Sequence, residues 1–237
     1  MLMQLRRAAR DRLVRRLGVP EIPPALERLR ANNFVPKTIF DVGAYSGEFA
    51  KLCRRIWPSA NITCFEVLPS RVRELQEWCA ADGGAVVVDC LMGAEERSAV
   101  PFHEKETASS VFEEYVPQAA PKNAYQMKTI DSVLASKKCP SPDLLKLDVQ
   151  GYELEVLKGA EACLPLVSAV LTEVNLIDIH RGAPLFDEVV LFMRNKGFVA
   201  YDICGLTRRP LDESLWQADV IFIPRDSVLR ADKRWQP

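Results

Sequence analysis

The chain has no apolar run near the roughly 18 to 20 residues that a membrane-spanning helix needs. It also lacks an apolar segment in its first residues of the kind that directs export. A membrane-integral or secreted protein is therefore not expected; the cytoplasm is, with the inner membrane surface as a peripheral alternative. No CxxC spacing occurs. The seven cysteines (Cys53, Cys64, Cys79, Cys90, Cys139, Cys163, Cys204) are scattered singly and odd in number, which argues against a metal or redox site and for reduced, buried thiols. Internal repeats and low-complexity linkers are missing too, so 237 residues fit one large domain with short extensions. The formal net charge is only −1, which gives no global attraction to nucleic acid.

What basic charge there is lies at one end. Residues 1–17 carry six arginines (Arg6, Arg7, Arg10, Arg12, Arg15, Arg16) against one acid, Asp11. Leu2, Leu5, Ala9, Leu13 and Leu17 recur among them at helical spacing, the pattern of a basic amphipathic helix. Its apolar stripe would pack on the domain, or its basic face would meet an anionic membrane surface or a partner. Pro20, Pro23 and Pro24 break that pattern, and a second short helix is expected over 24–31, ending near Asn32-Asn33. The expected organisation is a basic helical extension over 1–34, a catalytic domain over 35–225 and a tail over 226–237.

From residue 37 onward strand and helix patterns alternate. "KTIFDV", "NITCFEV" and "AVVVDC" read as strands. "GEFAKLCRRIW" reads as a helix with Phe49, Leu52, Cys53, Ile56 and Trp57 on one side, and "PSRVRELQEWCA" as a second, closed by the turn "DGG". After an irregular insertion over 93–142, with short strands in "AVPFHE" and "YQMKTI" and a helix in "TIDSVLA", the alternation resumes. "DLLKLDV" is a strand, and "GYELEVLKGAEACL" a helix placing Tyr152, Val156, Ala160 and Cys163 on one face. "SAVLTEV" is a strand, "FDEVVLFMRNKG" a helix ended by Gly197, and "FVAYDIC" and "ADVIFIP" are two last strands. Parallel strands need helical crossovers, whereas the last two are joined by about a dozen residues without one and should pair as a hairpin. The fold class expected is α/β, Rossmann-like and doubly wound, with a mostly parallel sheet and one antiparallel strand near an edge.

In such sheets ligands bind beyond the carboxyl ends of the strands. The strand ends here read Asp41, Glu66, Asp89-Cys90, Asp148, and Glu173 with Asn175. Unpaired carboxylates are costly to bury, so this many at one rim points to a ligand. Glu66 follows Gly43 at about the ~20-residue spacing that sets an acid beside a ribose. Gly43 and Gly47 would let the backbone approach the ligand. The turn reads DxGxxxG, with Ala44 and Tyr45 after the first glycine, and so lacks the GxGxxG that admits a pyrophosphate. S-adenosylmethionine (SAM), with an adenosine, a cationic sulfonium and no phosphate, suits this acidic rim better than a dinucleotide does.

"TIFDVGAYSGEFA", "CFEVLPSRVREL", "QMKTIDSVL" and above all "LLKLDVQGYELEVLKGA" resemble the FkbM family of SAM-dependent methyltransferases, over residues 35–223. The resemblance implies a seven-stranded class I methyltransferase fold. It also implies methyl transfer to a hydroxyl of a sugar, glycolipid or secondary-metabolite acceptor, and an active-site role for Asp148. Alcohol methylation needs a base positioned at the acceptor oxygen, and the candidates on the expected rim are Asp148, Glu173 and His180. The cofactor set is Asp41, Gly43, Ala44, Tyr45, Gly47, Glu66, Asp89, Cys90 and Asp148. The acceptor set is Ser109, Ser110, Tyr152 and Asn175. Asp148 and Glu173 alone make too small a set for a metal, and none is expected. Two alternatives stand beside this reading: a nucleic-acid methyltransferase using the arginine leader, and a non-catalytic SAM-binding protein. Against the first, the fourth strand ends in DVQG and not in an Asn/Asp-Pro-Pro-aromatic run. A dehydrogenase is least favoured, for want of GxGxxG.

Overall fold

The structure, a computed structural model, describes residues 17–105, 109–115, 122–136 and 139–236. Apart from Leu17, the basic helix expected over 1–17 lies outside the described residues. Helix α1 (Ile22–Ala31) has its prolines in the first turn and buries Ala25, Leu26 and Leu29. Its Arg28 pairs with Asp202 at 2.6 Å.

The chain then runs β1 (Thr38–Val42), α2 (Glu48–Ile56), β2 (Asn61–Glu66), α3 (Pro69–Asp82) and β3 (Ala85–Asp89). Pro69 opens α3 at a position where the missing N–H costs nothing, and Gly83 closes it in the left-handed region at φ +75°. The insertion contributes β4 (Leu91–Met92), β5 (Arg97–His103), β6 (Lys122–Lys128) and α4 (Ile130–Ala135), which Thr129 caps by accepting from Ser132 N at 2.9 Å. The strands and the short helix expected in this region are thus present, and the strands form a small sheet of their own in the order β4-β6-β5.

The remainder is β7 (Leu144–Leu147), α5 (Glu153–Lys158), β8 (Ala169–Asn175), α6 (Phe186–Asn195), β9 (Phe198–Arg208) and β10 (Leu215–Pro224). Helix α5 is shorter than its sequence pattern suggests, ending at Gly159, and the chain continues through turns to a 3-10 turn at Leu164–Leu166. All four residues of the expected face, Tyr152, Val156, Ala160 and Cys163, are nevertheless buried in one cluster.

The main sheet has seven strands in the order β3-β2-β1-β7-β8-β10-β9. Strands β1, β2, β3, β7 and β8 are mutually parallel, while β10 is antiparallel to both β8 and β9. The expected hairpin is therefore formed, and its reversed strand lies one place in from the edge. Strand alternation sends Phe40, Leu145, Val170 and Phe222 to a core on one face. Ile39, Leu144, Leu171 and Ile221 go to a second core under α1 and α2 on the other. Arg54 of α2 clamps α3 by donating Nε and Nη2 to the two carboxylate oxygens of Asp82 at 2.8 and 2.6 Å. Among the described residues no helix is long and apolar enough to cross a membrane.

Candidate active site

The order of crossover reverses between β1 and β7, the place where open α/β sheets bind ligands. A cavity of about 740 Å³ lies there. One wall is apolar and carries Phe65, Leu68, Leu91, Met92, Phe102, Val111 and Tyr152. The other is polar, formed by Lys146, Asp148, Gln150 and Glu173, with Glu48, Phe49, Leu52 and Arg55 of α2 and Ile22 and Pro23 of α1 beyond. Phe49 and Leu52 pack against the same core cluster as Cys53, Ile56 and Trp57, as expected of one side of α2, and they are half-buried because they also line this cavity.

The registers explain why the polar groups gather. The β1, β2, β7 and β8 pairings run up to Val42–Phe65, Val42–Leu147 and Leu147–Thr172, and β8 pairs with β10 at Glu173–Asp219. One step further along, Glu66, Gly43, Asp148, Glu173 and Asp219 stand side by side across the carboxyl ends. Gly43 interrupts this row of acids for a steric reason. A Cβ there would lie 1.9 Å from the carbonyl oxygen of Asp148, and its φ is +75°. Its bareness thus serves the close approach of β1 and β7 as much as any ligand. Gly47, at φ +79°, does not line the cavity; a Cβ there would meet Leu75 of α3 at 2.8 Å, so this glycine lets α2 start against α3.

Asp41 differs most from its expected place. β1 continues to Val42, so Asp41 lies inside the strand, fully buried beneath the cavity floor and off its wall. Its partner is Lys146 of β7, opposite it in register, at 3.0 Å. Lys146 Nζ also donates to the carbonyl of Gly43 at 3.0 Å and stands 3.4 Å from Asp148. Burial alone would lower the lysine pKa, but the carboxylates of Asp41 and Asp148 outweigh it and push it up, so the ammonium stays charged. Lys146 was not singled out from the sequence, though a lysine within "LLKL" required a buried counter-charge.

Glu66 lines the cavity and holds the turn around it. Its carboxylate accepts from the amides of Tyr45, Val67 and Leu68 at 2.7, 2.7 and 2.9 Å. Three of its roughly four acceptor positions are thereby used, leaving one toward a ligand. Tyr45 is held at φ +49° by that bond, and its ring lies 4.1 Å beneath the guanidinium of Arg71. Ala44 and Cys90 also line the cavity. Asp89 does not, because it ends β3 on the exposed side.

Of the expected bases, Asp148 and Glu173 face the cavity. No side chain caps α5; its first residue, Glu153, instead holds the turn before it, its buried carboxylate accepting from Val149 N and Gly151 N at 2.8 and 3.2 Å. Burial, with help from Asp148, pushes Glu153 up to about 7 against the pull of those amides. Burial and then the carboxylates of Asp148, Glu153 and Asp219 push Glu173 well above the usual carboxylate range, opposed by Lys146. Burial and Asp148 push Asp219 up to about 6. His180 is not on the cavity wall. It is buried where the strand-like pairing of Glu114 with His180 ties the 109–115 segment to the loop after β8, and burial lowers its pKa.

The acceptor candidates divide similarly. Ser109 and Tyr152 line the cavity, Tyr152 with its ring edge-on to Phe112 at 5.0 Å. Ser110 does not; its hydroxyl donates to the carbonyl of Gln150 at 2.8 Å and accepts from Phe112 N at 3.0 Å. Asn175 is also off the wall, buried and accepting from Gln217 at 3.3 Å. Gln150 and Gln217 were missed in the sequence; glutamine carries no charge pattern that would pick them out. Among the described residues no group of three His, Cys, Asp or Glu side chains is arranged to hold a metal ion.

Residues 41–200 match the family model described as the methyltransferase FkbM domain, which spans more than half of the chain. The chain belongs to the FkbM methyltransferase family. The hexuronic acid methyltransferase AglP of Haloferax volcanii is 26% identical over 170 residues, 68% of this chain and 68% of that protein. The crystal structure of methyltransferase FkbM from Methylobacillus flagellatus KT superposes at a TM-score of 0.53 and 17% identity, over 78% of this chain and 43% of that one. This FkbM chain therefore spans less than half of that structure, and the likeness establishes a shared class I methyltransferase fold. The FkbM domain boundaries enclose every cavity residue of the main sheet from Val42 to Glu173, leaving Ile22 and Pro23 of α1 outside.

Proposed function

We propose that this methyltransferase uses SAM to methylate a hydroxyl group of a sugar-type acceptor, with hexuronic acids the first class to test. The observation that carries this reading is one cavity whose lining combines apolar side chains, Phe65, Leu68, Leu91, Met92 and Phe102, with Glu66 and with the carboxylates of Asp148 and Glu173. Its volume, about 740 Å³, is in the range of small-molecule sites. The acceptor class comes from the name of the hexuronic acid methyltransferase of Haloferax volcanii.

The residues present fit SAM. The free acceptor position of Glu66 would take a ribose hydroxyl, and Phe65, Leu68, Leu91, Met92 and Phe102 would flank the adenine. The turn at Gly43, Ala44 and Tyr45 would meet the amino-acid end, and Asp148 lies on the side where a cation is favoured. When bound, SAM supplies an electrophilic methyl group on a sulfur that departs as the neutral thioether. The chain's own task is then alignment and proton removal. Asp148, half-exposed at the cavity, can orient the acceptor by accepting a hydrogen bond from it. Glu173, made more basic by its neighbours, can take the proton that the hydroxyl loses. Placement favours this carboxylate over His180, whose ring lies behind the 109–115 segment.

The test pairs calorimetry with turnover. Wild-type protein should bind S-adenosylhomocysteine and not NAD, and Glu66→Ala should lose that binding while melting as a folded protein. Radiolabelled methyl transfer to glucuronic acid but not to the corresponding 6-deoxy sugar would support a hexuronic acceptor. NAD binding, or no binding of either ligand, would overturn the reading.

A further inference from the structure

Two carboxylates facing one cavity repel each other, so their positions must be enforced. The group that reaches both is the side-chain amide of Gln150. This residue stands two places after Asp148 with φ +53°, a backbone region that side-chain-bearing residues seldom enter. The surroundings hold it there. Ser110 Oγ donates to the Gln150 carbonyl at 2.8 Å, and the Glu153 carboxylate accepts from the amides on either side, Val149 and Gly151. Gly151 follows at φ +97°.

Fixed in this way, Gln150 Nε2 lies 2.9 Å from Asp148 Oδ1 and 3.5 Å from Glu173 Oε1. A primary amide has two N–H groups, one for each carboxylate. Gln217 of β10 donates to the same Oε1 of Glu173 and spans to Asn175 Oδ1 at 3.3 Å. Oε1 thus receives two amides, and among the described residues no hydrogen bond to Oε2 is made. The charged groups around Glu173 are Asp148 and Lys146 from β7 and its end, Glu153 from α5 and Asp219 from β10, four carboxylates in all with Glu173 and one ammonium. In that company an amide donates without adding charge. A lysine would make Glu173 a weaker base, and a glutamate would add to the repulsion.

We propose that Gln150 is a positioning residue whose amide ties Asp148 to Glu173 and aims them into the cavity, leaving Glu173 Oε2 as the oxygen that receives the acceptor's proton. The proposal rests on the hydroxyl-methylation reading. In that step the acceptor O–H bond would break and the proton pass to Glu173 Oε2, while the electron pair left on oxygen forms the new bond to the methyl carbon as the carbon–sulfur bond breaks and its pair leaves on the neutral thioether.

The experiment follows the Glu173 carboxyl directly, by carbon-detected NMR titration of the full chain labelled at glutamate side chains, with pH–rate profiles where turnover is found. Glu173 should titrate well above an ordinary glutamate in the wild type. Gln150→Glu should raise its midpoint by about one pH unit or more, the effect of a like charge placed beside it. Gln150→Met, matched in length and without a donor, should raise it in the same direction by less. The acid limb of kcat should move with the midpoint, and Gln150→Asn, one methylene shorter, should not restore it. S-adenosylhomocysteine affinity within about threefold of wild type would show that each variant retains the site. A Glu173 midpoint unchanged in both folded variants overturns the proposal, even if their melting temperatures fall. Absence of turnover by the wild type on any uronate counts against the acceptor reading alone, since the titration still decides the role of Gln150.

Discussion

Replacing Lys146 by methionine removes the ammonium that pairs with Asp41 and Asp148 while keeping a side chain of similar length. Asp41, with no exposed surface, would then be left without its partner at 3.0 Å. The carbonyl of Gly43 would lose its donor, and Asp148 its neighbouring cation at 3.4 Å. Breaking a buried pair from one side costs about 3 to 5 kcal/mol, because the surviving charge stays desolvated. For a domain of this size each kcal/mol lowers the melting temperature by about 2 to 4 °C, so a fall on the order of 10 °C is expected. The double variant Lys146→Met with Asp41→Asn removes both charges and should be markedly more stable than Lys146→Met alone, since isosteric removal of a buried pair is often near neutral. Urea unfolding of the four proteins in the cycle measures this, with a coupling of about 1 to 3 kcal/mol expected. A Lys146→Met loss below about 1 kcal/mol, or a double variant equal to the sum of the singles, would refute the reading of Asp41 as a structural counter-ion.

Two further outcomes follow from the same floor. Gly43→Ala should cost at least about 2 kcal/mol and lower S-adenosylhomocysteine affinity, because its methyl would collide with fixed backbone at Asp148 in a left-handed conformation. Gly47→Ala, strained in the same left-handed region, should cost less, as its methyl meets a side chain, Leu75, and not backbone, and calorimetry with thermal unfolding would expose a reversed order. The pH dependence of stability has a definite sign. Glu173 is pushed up, Glu153 up to about 7 and Asp219 up to about 6, so the folded state binds more protons than the unfolded chain above about pH 4. Their contribution is fully present below the unfolded values and is lost as pH rises through about 4 to 7. His180, whose value burial lowers, acts in the opposite sense in this window, so the test is made in a His180→Gln background: there melting temperature should fall between pH 5 and pH 8, and a rise would contradict the raised values.

How legible each feature was depended on what the pattern encodes. Alternation of strands and helices, the breaks at proline and glycine, and the short link before β10 are local, and they led to the sheet with its single reversed strand. The motif resemblance supplied the strand count and the reaction. Placement of Asp41 failed because a one-residue difference in where β1 ends decides whether an acid lies on the rim or beneath it, and strand ends are the least determined feature of a sequence. A register argument would have corrected it. Lys146 is flanked by leucines in a strand with both faces covered, so its ammonium had to meet a carboxylate on a neighbouring strand, and Asp41 is the acid inside β1. Asp89, His180 and Asn175 misled for a different reason. Each stands at or after a strand end as the rule requires, but the rule does not say which face the side chain takes or what the 109–115 segment covers. Gln150 is the instructive omission: its role depends on a left-handed turn gripped by Ser110 and Glu153 from opposite sides, and no property of an uncharged side chain in one dimension reports that three-dimensional grip.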